Sequence, residues 1–364
     1  AARAAIAQAG VAPNPMIVVE AENLAGSGPY GFLDRTETTL NYQQTWERGG
    51  KREARVALAE RGRDAVQARA LVRGLDLLAE VQKAYVEAVA AEAEAALARD
   101  RLALAERALA EVDRRVRSAR DPLFAGARAQ ASVEEARIEL RNAEAERESA
   151  HRTLASYWDG AAALELDPRA LEILASPAGP VEGVADLRLL AAERDTAEAR
   201  VRVERARAVQ DPAWTLGVRY FREGGDVAAV AGFSLPIGRS DGYRAGLDQA
   251  QAERLAAERE IAAARLERAR EAARLSAHMA SSRAEAQDVE ARLIPQAERA
   301  VALVRDGFNR GGFSYIDVIE AQRALGQARA RRLAALKAYH LDEAAFDRLN
   351  GAHADIWTAA ETRP

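Results

Sequence analysis

The sequence predicts a mainly α-helical fold with a small β part, and three observations lead to this prediction. The 364 residues are 49% hydrophobic and 30% charged but only 5% aromatic, a composition typical of long helices and coiled coils. Two long stretches repeat Leu, Val and Ala at every third or fourth position, which indicates helix. Before each of these stretches lies a pair of short segments in which apolar and polar residues alternate, which indicates strands.

The charge and cysteine content exclude several classes of protein. The net charge is -4, and Arg and Glu alternate along the helices, so the chain lacks the basic patch of a nucleic-acid-binding protein. The absence of cysteine excludes disulfides, thiol nucleophiles and Cys-ligated metal sites. Charges interrupt every apolar run, so we expect no membrane-spanning helix. Residues 1–12 resemble the end of a helix, and we expect any signal sequence or lipid-anchor cysteine upstream of them.

The first pair of alternating segments predicts a strand hairpin over 14–47. In its second strand, Leu40 and Tyr42 alternate with Asn41 and Gln43. Such alternation suits a barrel strand between a polar lumen and lipid. It also suits a surface hairpin of a soluble domain, and the pattern alone leaves both open.

A long helix is predicted over 52–118, since no proline interrupts its apolar repeat. At 1.5 Å per residue this helix is roughly 100 Å long, which requires a coiled coil or a helical tube. Asp121 and Pro122 mark the turn that ends it. A return helix follows over 124–157, and the Gly- and Pro-rich segment 158–186 is predicted to form loops and short helical turns.

The second half of the chain repeats this order. Its predicted elements are a helix over 187–210, a strand hairpin over 213–236, a long helix over 243–306, a return helix over 314–349 and a loose C-terminal tail that carries Trp357. Asn14-Pro15 and Asp211-Pro212 open the two hairpins in the same way. We therefore predict an internal duplication of two structural repeats, 1–186 and 187–364.

The predicted strands number only four per chain, too few to close a membrane barrel. Open sheet edges are not tolerated in lipid, because unpaired backbone groups there lack partners. Either the strands are soluble, or several chains pool them. If several chains pool their strands, the alternation predicts which side chains face lipid, and the aromatic positions predict which lie at the two membrane interfaces. The lipid-facing side chains are Ile17, Val19, Leu40, Tyr42, Leu216, Val218, Ala229 and Phe233, with Trp46, Trp214 and Tyr220 as candidates for the aromatic girdles.

A helix–turn–helix from Leu293 to Ala328 is the most distinctive stretch of the chain. Ser314 is predicted to cap the second helix, with Asp317 as the acid of a capping box. The predicted turn residues are Gly307, Phe308, Gly311, Gly312, Phe313 and Ser314 here, and Asp121 and Pro122 in the first half. The predicted apolar side of the second helix carries Ile316, Ile319, Ala324, Ala328 and Leu333. Asp317 and Glu320 stand three residues apart, so both carboxylates share one helix face.

This stretch resembles the second helical tip of the TolC family of outer-membrane exit ducts. The residues that follow the family pattern in order are Pro295, Gln296, Ala297, Glu298, Gly307, Gly311, Ser314, Asp317, Glu320, Ala321 and Gln322. The resemblance extends over essentially the whole chain. The motif from Glu47 to Arg52 is similar to that of the heavy-metal efflux branch, which includes CzcC and CusC, although Arg48 replaces an apolar residue.

The resemblance implies a homotrimer whose pooled strands form one transmembrane β-barrel, continuous with a long α-helical barrel. It places the protein in the bacterial outer membrane, extending into the periplasm, with segment 158–186 and the C-terminal tail at the equator of the helical barrel. The implied partners are a periplasmic adaptor at the helical tips, an inner-membrane efflux pump and outer-membrane lipid. The duct would conduct its cargo passively. Heavy-metal cations are the leading cargo, with drugs or secreted proteins as alternatives.

The resemblance also implies a role for Asp317 and Glu320. They match the residues that constrict the periplasmic aperture of the family, where rings of acidic side chains select cations. The alternative is a solvated helix face. Phe308 and Phe313 occupy the positions of a polar latch in the family prototype, so a different contact would have to hold a closed state.

The sequence indicates no enzyme, cofactor or metal site. The histidines, His151, His278, His340 and His353, are scattered and lack a second ligand at helical spacing. Adjacent residues on a helix diverge in direction, so His278 and Met279 are not expected to chelate a metal together. A periplasmic adaptor or a structural coiled-coil protein is the alternative function, but an adaptor should contain one helical hairpin rather than two.

Overall fold

A computed structural model describes residues 2–158, 160, 165–174, 185–237 and 241–356. The predicted loop segment 158–186 lies partly outside the described residues, and Trp357 with the rest of the C-terminal tail lies wholly outside them. The chain divides into two compact units, residues 1–72 with 185–265 and residues 73–184 with 266–364.

The first unit contains a four-stranded antiparallel sheet in the order β1-β2-β3-β4. Its strands are β1 (Met16–Glu22), β2 (Glu37–Thr45), β3 (Ala213–Phe221) and β4 (Asp226–Ser234). Both predicted hairpins are therefore present, and β2 pairs with β3 to join them. The outer strands of the sheet are β1 and β4.

One face of this sheet is apolar and exposed. Val19, Leu40, Val218 and Ala229 form a single row across the four strands. All eight side chains predicted to face lipid lie on this face and are exposed. Trp214 lies on the same face, and the centroid of its ring is 5.6 Å from that of Tyr42.

The opposite face of the sheet carries a polar network that extends over β1, β2 and β3. Arg219 donates to the Thr39 hydroxyl and the Glu37 carboxylate, each at 2.9 Å, and forms an ion pair with Glu22 at 2.9 Å. Thr39 is only 1% exposed because it lies beneath this network. The period-two alternation of the sequence thus produces one apolar and one hydrogen-bonded face.

A tight elbow connects β2 to the helix that follows it. Gly49 has a φ of 71°, and a Cβ added there would overlap the side chain of Val209. Asp211 accepts a hydrogen bond from the Lys51 ammonium at 2.6 Å. These contacts explain why the Gly-Gly-Lys motif stands at this position.

The helices are α1 (Ala2–Ala9), α2 (Lys51–Arg117), α3 (Leu123–Ala155), α4 (Ala185–Arg207), α5 (Asp241–Asp288), α6 (Ile294–Asn309) and α7 (Tyr315–Asn350). They confirm the predicted mainly α-helical fold with a small β part. None of the helices in the described part of the chain combines the length and the apolar character that crossing a membrane requires.

The second long helix differs from its prediction over 243–306. A π-helical turn at Val289–Leu293 separates α5 from α6. The physical reason is Pro295, which lacks a backbone N–H and whose ring would collide with the carbonyl four residues earlier. The end of the helix also differs, since Gly307 and Phe308 lie in the last turn of α6 rather than in the loop.

The second unit packs its helices through small residues. Ala88, Val89, Ala90 and Ala95 of α2 are completely buried. Alanine side chains allow close approach of neighbouring helices, which explains how a chain with few aromatic residues forms a core. The short helical turn Pro168–Glu172 adds Leu171, 3% exposed, to this core.

Candidate functional site at the helix turns

Both helical turns lie in the second unit. We define the first turn as Ser118–Pro122, between α2 and α3, and the second turn as Arg310–Ser314, between α6 and α7. All of the predicted site residues lie in these turns or in the helices on either side of them.

The second turn ends α6 with a Schellman motif. The Gly311 amide donates to the Phe308 carbonyl at 3.0 Å, and the Gly312 amide donates to the Gly307 carbonyl at 2.8 Å. Gly311 has a φ of 83°, a left-handed conformation that the motif requires and that glycine adopts without strain.

The first turn has the same hydrogen-bond pattern. The Ala119 amide donates to the Val116 carbonyl, and the Arg120 amide donates to the Arg115 carbonyl, each at 2.9 Å. Ala119 has a φ of 57°, so an alanine occupies the left-handed position that Gly311 occupies in the second turn. The two turns therefore correspond residue by residue, with Arg115 matching Gly307.

The contact that closes each turn is chemically different. In the second turn the Phe313 ring lies against Gly307, where an added Cβ would overlap it. In the first turn the corresponding residues form an ion pair, because the Arg115 guanidinium donates to both Asp121 oxygens at 2.9 and 3.1 Å. The side chains of both partners are only 14% exposed. The same backbone turn is thus closed by a ring packed on a glycine in the second hairpin and by a bidentate ion pair in the first.

Arg115 also connects the first hairpin to the second. Its guanidinium donates to the Phe308 carbonyl and lies 4.1 Å from the centroid of the Phe308 ring. The side chain of Phe308 cannot form a polar latch, as expected, but its carbonyl and its ring both contact a charged group. The sequence analysis missed Arg115. The signal that could have identified it was an Arg and an Asp on either side of a helix-ending turn.

An apolar cluster lies beneath the two turns. It contains the buried residues Val112, Ala125, Ala129, Phe308, Tyr315 and Val318 from four helices. Burial raises the pKa of the Tyr315 hydroxyl. The predicted apolar side of α7 was partly wrong, because Ile316 is 40% exposed and Ala324 is exposed. Ala328 and Leu333 are buried as predicted, and the other residues of this part of α7 that face the core are Tyr315, Val318 and Leu325.

The predicted capping box at the start of α7 is present. Asp317 Oδ2 accepts hydrogen bonds from the Ser314 hydroxyl at 2.7 Å and from the Ser314 amide at 2.8 Å. These two bonds lower the pKa of Asp317, so its carboxylate is ionised at neutral pH. Glu320 is exposed and makes no hydrogen bond or ion pair with the other described residues. The two carboxylates share one helix face, but only Asp317 also stabilises the helix.

The described residues contain no cluster of three or more metal-ligating side chains. His278 is exposed and lies 3.6 Å from Asp342, whereas the neighbouring Met279 is 1% exposed, so the two side chains occupy different environments.

His340 is the buried histidine of the second unit. Its ring nitrogens lie 2.8 Å from Glu343 and 3.0 Å from the Leu171 carbonyl. Burial lowers the pKa of His340, but the hydrogen bonds to these two acceptors outweigh burial and raise it above its ordinary value. His340 therefore ties the short turn Pro168–Glu172 to α7 as a packing residue.

Comparison with known proteins gives consistent results. Residues 1–160 and 182–352 match the family model described as outer membrane efflux protein. The chain is 31% identical over 354 residues to the cobalt-zinc-cadmium resistance protein CzcC of Cupriavidus metallidurans, covering 95% of this chain and 83% of CzcC. It is 31% identical over 272 residues to the nickel-cobalt-cadmium resistance protein NccC of Alcaligenes xylosoxydans xylosoxydans, covering 73% of this chain and 62% of NccC.

A solved structure with the same fold is the outer membrane protein VceC from Vibrio cholerae. Its TM-score is 0.75 at 20% identity, and the alignment covers 96% of this chain and 90% of that chain.

Proposed function

Since the chain belongs to the outer membrane efflux protein family, we propose that it is the outer-membrane exit duct of a tripartite efflux system and that its cargo is heavy-metal cations. Membership of a family of channels also agrees with the expectation that the chain is not an enzyme. The proposal further includes a homotrimer, the internal duplication of two repeats and the aperture role of Asp317 and Glu320.

The observation that carries the proposal is the two-sided sheet. Its exposed face presents apolar side chains on all four strands, and its other face holds Arg219 in a network of carboxylates. The outer strands β1 and β4 have unpaired edges among the described residues. A sheet with these properties becomes stable in a bilayer when copies of the chain pair β4 with β1 and close one barrel. The apolar face then meets lipid and the charged face meets water.

The choice of cargo rests on the relatives and on charge. CzcC and NccC are named for resistance to cobalt, zinc, cadmium and nickel. Asp317 is ionised and Glu320 is exposed, so a trimer would concentrate six carboxylates at its aperture if the second turns line it. Rings of carboxylates favour cations over anions. The remaining partners are a periplasmic adaptor, which would contact the helix turns, and an inner-membrane pump.

The test has a biochemical and a cellular part. We expect the protein to require detergent for extraction from membranes and to run as a trimer after purification. Deletion of its gene should sensitise the host to cobalt, zinc, cadmium or nickel, and the intact gene should restore resistance. A soluble monomer would contradict the duct. Unchanged metal tolerance together with increased sensitivity to drugs would show that the cargo is drugs rather than metal cations, and the proposal of an exit duct would stand.

A further inference from the structure

The chain folds back on itself where α7 ends. Gly351 has a φ of 69°, and the Ala352 amide donates to the Asp347 carbonyl at 3.0 Å, so α7 ends in a Schellman motif. This turn brings His353 beside Asp347, and the His353 Nε2 atom lies 3.7 Å from Asp347 Oδ2. That separation is too long for a hydrogen bond. The sequence conceals this pair, because the turn and not a helical spacing brings the two side chains together.

Several polar atoms around this pair are buried and have no hydrogen-bond partner among the described residues. The Gln82 Nε2 atom of α2 donates to Asp347 Oδ2 at 3.2 Å, but the Gln82 Oε1 atom accepts no hydrogen bond. His353 Nε2 and Asn350 Nδ2 are also buried and unpartnered, and Asn350 is only 7% exposed. Asn350 follows Asp347 by three residues, so both lie on one side of α7. Buried polar atoms without partners are rare in proteins, and they indicate a bound ion or an ordered water.

The surroundings of Asp347 favour a cation at this place. Burial raises the pKa of Asp347 and the nearby Glu343 carboxylate raises it further, whereas the Gln82 hydrogen bond and His353 lower it. A half-buried carboxylate is costly to ionise unless a positive charge lies beside it. A cation between Asp347 and His353 would supply that charge.

The ligand atoms and the distances between them suit a divalent transition-metal cation. An imidazole nitrogen combined with carboxylate and amide oxygens, without sulfur, favours Zn²⁺ or Ni²⁺ over Cu⁺. Ligand atoms about 2.0–2.1 Å from a tetrahedral zinc ion lie about 3.3 Å apart. The distances from Asp347 Oδ2 to His353 Nε2 and to the Gln82 amide, 3.7 and 3.2 Å, lie on either side of this value. Rotation of the Gln82 amide exchanges its nitrogen with the unpartnered oxygen.

We propose that Asp347, His353 and the Gln82 amide oxygen bind one divalent transition-metal cation per chain, with water at the remaining position. Only two of these ligands are His, Asp or Glu side chains, so the site is smaller than the three-residue clusters that the described residues lack. Asn350 would donate to the metal-bound water. The cation would tie the residues after Gly351 to α7 and α2. This inference goes beyond the proposed function, because a passive duct needs no resident metal.

A second His–Asp pair provides a matched control. His278 of α5 lies 3.6 Å from Asp342 of α7, almost the same separation, but the His278 side chain is 64% exposed. Neither residue of this pair has a buried polar atom that lacks a partner within the described ranges. Water solvates such an exposed pair, so we expect it to bind metal weakly.

The experiment measures Zn²⁺ binding by calorimetry to the detergent-purified full chain, without a polyhistidine tag and after treatment with a chelator. The variants are His353→Ala, Asp347→Asn and Gln82→Leu, and the control is His278→Ala. Thermal unfolding with and without Zn²⁺ gives an independent readout, because a ligand that binds only the folded state stabilises it. Asp347→Asn and Gln82→Leu keep the size of the native side chain, so they test the ligand atoms even where His353→Ala disturbs the turn.

We expect His353→Ala and Asp347→Asn each to weaken Zn²⁺ binding by about 10- to 100-fold, Gln82→Leu to weaken it less, and His278→Ala to stay within about twofold of the wild type. Zn²⁺ should raise the melting temperature of the wild type and of His278→Ala, but not that of His353→Ala. Equal Zn²⁺ binding by His353→Ala and the wild type would overturn the inference, because the metal would then lie elsewhere. No Zn²⁺ binding by the wild type would also overturn it and would assign the unpartnered atoms to water. Either result leaves the exit duct standing, since that proposal rests on the sheet.

Discussion

Removal of the Arg115 side chain is expected to open the first turn locally. Arg115 makes charged hydrogen bonds to Asp121 and to the Phe308 carbonyl and packs against the Phe308 ring. Charged hydrogen bonds contribute about 1.5–3 kcal/mol each, and a cation–π contact contributes about 0.5–1 kcal/mol. These contributions overlap because one side chain makes all of them, so we expect Arg115→Ala to cost about 3 kcal/mol.

Hydrogen exchange is the suitable assay, because it reports the local opening of this turn separately from global unfolding. The Ala119 and Arg120 amides form the Schellman bonds of the turn and report its opening. A loss of about 3 kcal/mol corresponds to a fall of about 100-fold in their protection from exchange. The second half of a double-mutant cycle is Asp121→Ala, which should produce a similar fall, with little added by the double variant.

The matched control is Arg117→Ala, two residues along α2. The Arg117 guanidinium is exposed and donates to the Asp113 carbonyl at 3.2 Å, so its loss should leave the turn protected. Unchanged protection of the Arg120 amide in Arg115→Ala would refute this reasoning. The closure of the turn would then have to come from the backbone bonds and the apolar cluster alone.

Three further predictions concern the aperture, the sheet and the buried histidine. Combining Asp317→Asn with Glu320→Gln should reduce cation preference and abolish block by trivalent cations in bilayer recordings, because both carboxylates are lost. Asn at position 317 keeps an oxygen that can accept the hydrogen bonds of Ser314. Unaltered selectivity would indicate that the two residues form a solvated helix face. Val218→Arg should cost about 2–4 kcal/mol if Val218 lies near the middle of the bilayer, and a membrane-assembled trimer as stable as the wild type would show that the lipid-facing register is wrong. Because the folded pKa of His340 is raised, its stabilisation is fully present below its unfolded pKa and is lost as the pH rises through the folded pKa. Thermal unfolding of wild type and His340→Asn should therefore differ more at pH below that window than above it, and a pH-independent difference would contradict the assignment.

The sequence alone predicts most of the elements of this protein because their signals are local. Alternation along Leu40 to Gln43 predicted one apolar and one polar face of β2, and the structure puts these residues in register with β3 on two such faces. The capping box of Ser314 and Asp317 was also predictable, because both partners lie within one helical turn. The internal duplication, the trimer and the aperture remain predictions, since they concern symmetry and neighbouring copies.

Contacts between residues that are distant in the sequence were decided by the tertiary structure. Proline at 295 was visible, but whether the helix would kink, stop or pass through a π turn depends on the helices packed around it. The apolar side of α7 was assigned to Ile316 instead of Val318, because the core beneath the turns is formed by four helices whose relative rotation the sequence does not state. Arg115 reaches Phe308 across 193 positions of sequence. Periodicity identifies which residues can share a face of one element, whereas the partner of that face depends on how separate elements pack, and that information is absent from any local pattern.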